Sequence, residues 1–181
     1  MSKIVPVLLL AVLFAFLPAC STAPRTASGK ADLQAQAADT VTAARKTDPS
    51  LDPFFKNAAA YAVIPTVGKG AIGVGGAYGN GVLYQGSRVV GYCDLSQASI
   101  GFQLGGQAYT EIIFFETPAA ADRFKSGNFA FAAQASAVAL KSGAGANAKY
   151  ADGIAVFTMG ESGLMYEASI GGQKFSYQPA N

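Results

Sequence analysis

Residues 67–115 read VGKGAIGVGGAYGNGVLYQGSRVVGYCDLSQASIGFQLGGQAYTEIIFF and hold most of the chain's glycines, spread among apolar and aromatic residues. A flexible linker of that glycine content lacks large apolar side chains. Here Ile72, Val74 and Tyr78 alternate with Ala71, Gly73, Gly75 and Ala77. Period 2 of this kind predicts sheet with one large face and one nearly bare face, and a bare face lets another backbone approach closely. Gly79-Asn80-Gly81 and Gly86-Ser87 are predicted as hairpin turns, because those residue types accept positive φ.

The strongest alternation lies between Ala98 and Phe114. Ile100, Phe102, Leu104, Ala108, Ile112 and Phe114 fall on one face, and Ser99, Gln103, Gln107, Tyr109 and Glu111 on the other. The pattern predicts antiparallel strands with one buried and one wet side. At roughly 3.3 Å per residue the run would extend about 55 Å, too long for one straight strand, so a bend is expected at Gly105-Gly106.

Outward from this stretch, Ala31 to Lys46 places Leu33, Ala37, Val41 and Ala44 on one helical stripe, ended by Asp48-Pro49. Leu51 to Ala60 reads as a second short helix with Pro53 in its first turn and Phe54 and Phe55 turned inward. Tyr61 to Ile64 reads as a strand closed by Pro65. On the other side, Thr117-Pro118 opens a helix through Phe124, with threonine as cap. Asn128 to Leu140 fits helix by its alanines and strand by Phe129 and Phe131. Lys141 to Lys149 reads as a loop. Ile154–Phe157, Leu164–Ile170 and Lys174–Tyr177 read as closing strands, with turns at Glu161-Ser162-Gly163 and Gly171-Gly172. The order predicts an α+β domain: an antiparallel sheet or partly closed β-barrel or sandwich, with N-terminal helices and one inserted helix.

With 181 residues the chain suffices for one domain, and a formal charge of +2 without basic runs argues against an electrostatic nucleic-acid binder. Histidine is absent, which removes the commonest general base and metal ligand. Met1-Ser2-Lys3, the apolar run Ile4–Leu17 and then Leu17-Pro18-Ala19-Cys20 predict a secretory signal, since the run is short for a membrane span. Cys20 after the small Ala19 resembles a bacterial lipobox, which implies cleavage before Cys20 and lipid attachment there. Residues 1–19 are then the signal peptide, 20–30 a tether and 31–181 the domain. Ser21 is not aspartate, so the expected destination is the outer membrane, facing the periplasm. Cys93, the other cysteine, is expected to be a small buried hydrophobe sharing a face with Val89 and Leu95.

Residues carrying catalysis were sought without result. G-x-S-x-G, H-E-x-x-H and the P-loop are absent, and Tyr78 holds the sixth place of a G-x-G-x-x-G frame. Glu111 and Glu116 could in principle form a glycosidase pair, but scattered acids are ordinarily solvated surface. Lys69, Arg88 and Lys174 flank glycine-rich turns, where free backbone N–H groups can add to anion binding.

YAVIPTVGKGAIGVGGAYGNGVLY, GYCDLSQASIGFQLGGQAYTEIIFF and GLMYEASIGGQK together resemble the SYLF lipid-binding domain family over roughly Leu51 to Tyr177. Ser99–Gln107 is the most specific part. The resemblance implies phospholipid binding, with no catalytic residue, metal or cofactor, and actin binding is not carried over. Two readings result. The first is a lipoprotein that binds anionic phospholipid head groups through Lys69, Arg88 and Lys174. The second is a structural envelope protein that contacts peptidoglycan or another protein through the polar Ser99–Glu111 face.

Overall fold

The computed structural model describes Pro24 and residues 26–72, 74–100, 107–127, 129–132, 135–160 and 170–180; at 70–72, 74–75, 99–100 and 107 it describes the backbone alone. The predicted signal peptide, Cys20, the bend at Gly105-Gly106 and the segment Glu161–Ser169 lie outside these residues.

A helix, α1 (Ala27–Thr47), is followed by a 3-10 turn at Pro49–Leu51 and a short α2 (Asp52–Asn57). Four long strands come next: β1 (Ala60–Ile72), β2 (Val74–Gln85), β3 (Arg88–Ile100) and β4 (Gln107–Phe115). Then come α3 (Pro118–Lys125), the two-residue strands β5 (Phe129–Ala130) and β6 (Val138–Ala139), α4 (Ala144–Asn147), β7 (Ile154–Gly160) and β8 (Lys174–Pro179). The eight strands form one sheet in the order β5-β8-β3-β2-β1-β4-β7-β6. All pairings are antiparallel except β6 with β7. The predicted α+β class holds, as a curled half-barrel.

The curl follows from contacts across the sheet. β8 and β4 are separated by three strands, about 19 Å in a flat sheet at about 4.8 Å per step. Yet the Phe124 ring of α3 lies 4.9 Å from Phe115 of β4 and 5.2 Å from Phe175 of β8. Helix α3 therefore fills the concave side, where Ile64, Val67, Leu83, Cys93, Leu95 and Ile113 join these rings in one buried cluster. The convex side is covered by α1 and α2: Leu33, Ala37, Ala44, Leu51 and Phe55 pack on Val63, Val82, Ile112 and Phe114.

Several predicted elements hold. Thr117 caps α3, accepting a hydrogen bond from Ala120 N at 3.2 Å. Asp48 ends α1, Phe54 is half-buried and Phe55 buried, and Gly86 turns the β2–β3 connection at φ +59°. Cys93 is free and buried with Leu95, although a register shift in the β2–β3 pairing puts Val90, rather than Val89, on its side of the sheet.

Others are corrected. α1 begins at Ala27, inside the predicted tether, because Thr26 accepts from Gly29 N at 3.1 Å and caps the helix earlier. Pro65 does not close β1. Register shifts on both flanks bulge the strand at this point, and a bulge accommodates the missing N–H. The Asn128–Leu140 segment holds two minimal strands and no helix, while the predicted loop after it contains α4.

Residues 71–78 belong to two arms of a hairpin, with Ile72 paired to Val74, not to one strand. Gly79-Asn80-Gly81 is not a turn but the middle of β2. The close-approach argument applies to these glycines nonetheless. A Cβ on Gly81 would stand 2.8 Å from Ile64 Cγ1 and from Val63 O, and 2.9 Å from Cys93 Sγ. Gly81→Ala is therefore expected to destabilise the protein by about 1–3 kcal/mol through overpacking. A thermal melt matching the wild type would contradict this strand spacing.

Candidate functional site

β4 places Tyr109 and Glu111, two residues apart, on the concave face. This is the face predicted to be wet, and the structure corrects that prediction: Tyr109 and Glu111 both have 0 % exposure. The curl brings the chain entering β8 across the open side of the half-barrel, where Gln173 meets them. Gln173 Nε2 donates to Tyr109 Oη and to Glu111 Oε2, each at 3.0 Å. Glu111 Oε1 and Gln173 Oε1 are buried without a hydrogen-bond partner. Lys69 Nζ stands 5.1 Å from the centre of the Tyr109 ring. Burial pushes the Glu111 carboxyl up to about 7, against the hydrogen bond from Gln173, the charge of Lys69 and the hydrogen bond with Tyr109. Glu111 thus forms no solvent-facing carboxylate pair with Glu116, which is exposed.

Reading the sequence missed this polar seam between the two sides of the curl. The signal available was an acid embedded beside Ile112-Ile113-Phe114-Phe115, too apolar a context for a solvated carboxylate. Cys93 faces the same interior. Burial, then the charges of Asp94 and Glu111, raise its thiol far above the ordinary value, which disfavours the thiolate form.

Lys69, Arg88 and Lys174 do not share a site. Lys69 is half-buried and directed at Tyr109. Arg88 pairs with Gln85 across the hairpin at the opposite end of the sheet. Lys174 pairs with Ser96 and is exposed, while its neighbour Phe175 points into the concave core, so Lys174 faces the convex side.

On that convex side α1 and strands β1 and β2 enclose a cleft of about 380 Å³, lined by Asp32, Leu33, Pro65, Thr66, Tyr78 and Asn80 among others. Tyr78 donates to Asn80 Oδ1 and, at 3.3 Å, to Asp94 Oδ1. Burial and the Asp94 charge raise its hydroxyl to about 12. Among the described residues Asp32 is the one charged group in the lining, and a carboxylate repels phosphate. Among the described residues no group of acids, cysteines or histidines could hold a metal ion.

A model of the Ysc84 family, described as Las17-binding protein actin regulator, matches residues 96–180. Residues 96–180, under half of the chain, are thus similar to a SYLF domain. That assignment supports a lipid-binding domain. The chain is also similar to Beta cell expansion factor A of Aeromonas veronii, at 33 % identity over 84 residues, which is 46 % of this chain. It spans about a third of that relative's length, 32 %. In the sheet, β1 and β2 separate β3 from β4, so the matched part of the SYLF domain does not form a continuous sheet without residues 60–85.

Proposed function

We propose that this protein is a lipoprotein of the bacterial outer membrane, anchored at Cys20 and facing the periplasm, whose SYLF domain binds anionic phospholipid at the bilayer surface. The SYLF match carries the lipid reading. Surface binding is favoured because apolar side chains pack on both faces of the described sheet, with α3 on the concave side and α1 and α2 on the convex one. The envelope-contact reading loses part of its surface, since Tyr109 and Glu111 are buried. No helix among the described residues is long and apolar enough to cross a membrane, so attachment would rest on the lipid at Cys20 and on the domain itself.

Two measurements test this. Cys20→Ser is expected to abolish acyl labelling and to leave an uncleaved or soluble protein, since no acyl chain remains to anchor it. Residues 20–181 with Cys20→Ser, which lack the predicted signal peptide, should float with vesicles of phosphatidylglycerol and phosphatidylcholine, and not with phosphatidylcholine alone. Wild-type labelling of the variant would remove the anchor, and absence of flotation would remove the lipid-binding reading.

A further inference from the structure

The charges of this nearly neutral chain are not evenly spread. Residues 45–57 and 140–150 contain five cations, Arg45, Lys46, Lys56, Lys141 and Lys149, against two acids, Asp48 and Asp52. The rest of residues 31–181 holds five cations against nine acids. The two segments are distant in sequence but joined in the fold. The Asp48 carboxylate accepts from Gly143 N at 3.0 Å and from Gly145 N at 2.7 Å. Ser50 Oγ accepts from Ala146 N at 2.9 Å. The rings of Phe54 and Tyr150 lie 5.2 Å apart, which brings α2 beside the chain leaving α4.

Both acids are already engaged. Asp48 is buried and spends its oxygens on the clasp, and Asp52 pairs with Arg45 at 3.4 Å. Lys46, Lys56, Lys141 and Lys149 are all exposed, and none has an ion-pair partner among the described residues. Glu116, whose charge reaches Tyr150, and the exposed Asp152 are acids near Tyr150.

We infer that these four lysines, on the end of α1, on α2 and on both sides of α4, form the surface by which the domain meets anionic head groups of a bilayer. The inference rests on the lipid-binding reading and gives it a place that Lys69, Arg88 and Lys174, scattered over two faces and two ends of the sheet, do not. Gathering unpaired ammonium groups costs self-repulsion, which a negative surface relieves. A membrane presents phosphates at variable spacing, and lysine, a flexible point charge, suits that better than a fixed bidentate site.

The test uses the mature chain, residues 20–181, with Cys20→Ser, so that neither the predicted signal peptide nor an acyl chain contributes and the domain's own affinity is measured. Lys46, Lys56, Lys141 and Lys149 are replaced together by glutamine, and binding is titrated with phosphatidylcholine vesicles containing phosphatidylglycerol. A lysine near an anionic surface contributes about fivefold in affinity, so the quadruple variant is expected to weaken binding by roughly six hundredfold, with its melting temperature unchanged. The parent's binding should fall steeply between low and physiological salt. The triple variant Lys69→Gln, Arg88→Gln, Lys174→Gln should stay within about tenfold of the parent. Parent-like binding by the quadruple variant would overturn this surface while leaving lipid binding intact. No binding by the parent at any salt would overturn the lipid reading and this surface with it. Binding of the parent to polyglutamate but not to vesicles would overturn it in favour of an acidic protein partner.

Discussion

Glu111→Gln is expected to make the protein more heat-stable at pH 8 and to change it little at pH 4.5. The carboxyl is fully buried, with Oε1 unpartnered, and burial lifts its pKa from 4.5 to about 7. An acid whose folded pKa is raised is held best in its protonated form. Its favourable contribution is complete below pH 4.5, the unfolded value, and is lost as pH rises through about 7. A shift of that size, at about 1.4 kcal/mol per pH unit, amounts to about 3 kcal/mol between pH 4.5 and 8. Glutamine has the same shape and no charge, so its melting temperature should lack this decline. For a domain of this length the difference at pH 8 corresponds to roughly 6–12 °C. Thermal melts of both proteins across the pH range check it. Parallel curves, with no divergence between pH 5 and 8, would show that Glu111 is solvated and that the seam with Gln173 is misplaced.

A second large effect is expected at Asp48, the residue that clasps the α1 end to α4. Its carboxylate accepts from Ser50 N and Gly143 N at 3.0 Å, Ser50 Oγ at 2.6 Å and Gly145 N at 2.7 Å. Burial works to raise its pKa, but the hydrogen bonds from Ser50, Gly145 and Gly143 outweigh burial and hold it below the ordinary 3.8. Asp48→Ala leaves several donors without an acceptor, and each orphan costs about 1–3 kcal/mol, so a loss of about 3–5 kcal/mol is expected. Asp48→Asn keeps the shape but turns one acceptor into a donor. Both oxygens accept backbone N–H groups, so neither orientation of the amide restores the set, and a loss of about 2 kcal/mol is expected. Because the folded pKa is depressed, the contribution of Asp48 is present above pH 3.8 and fades as pH falls below it. Denaturant melts at pH 7 and pH 3 test both statements. An Asp48→Ala protein as stable as wild type at pH 7 would mean that the clasp is absent in solution.

How much of the molecule was legible in the sequence depended on the range of the interactions involved. Thr117-Pro118 named the start of α3, and Gly86 the turn between β2 and β3, because capping and positive φ are decided within a few residues. Gly79-Asn80-Gly81 has the composition of a turn yet lies in the middle of β2. Those glycines are required by the approach of Val63, Ile64 and Cys93 from the two neighbouring strands, a non-local demand that local chemistry does not reveal. Tyr109 and Glu111 were assigned to a wet face by alternation with Ile112 and Phe114. Alternation separates the two faces of a strand, but it does not say which meets water when a curled sheet buries both.

By itself, then, the amino-acid sequence determined the α+β class, the end of α1 at Asp48, the start of α3, the hairpin turn at Gly86, the burial of Cys93 and the SYLF resemblance. Each follows from short-range pattern or from residue types in order. Only the tertiary structure decided that Gln173 crosses the open side of the half-barrel to Glu111, that Lys69, Arg88 and Lys174 stand apart, and that the end of α1 and α2 are joined to the α4 segment. Those placements depend on the order β5-β8-β3-β2-β1-β4-β7-β6 and on the curl. Both arise from packing between residues tens of positions apart, whose burial free energy is not a property of any one segment.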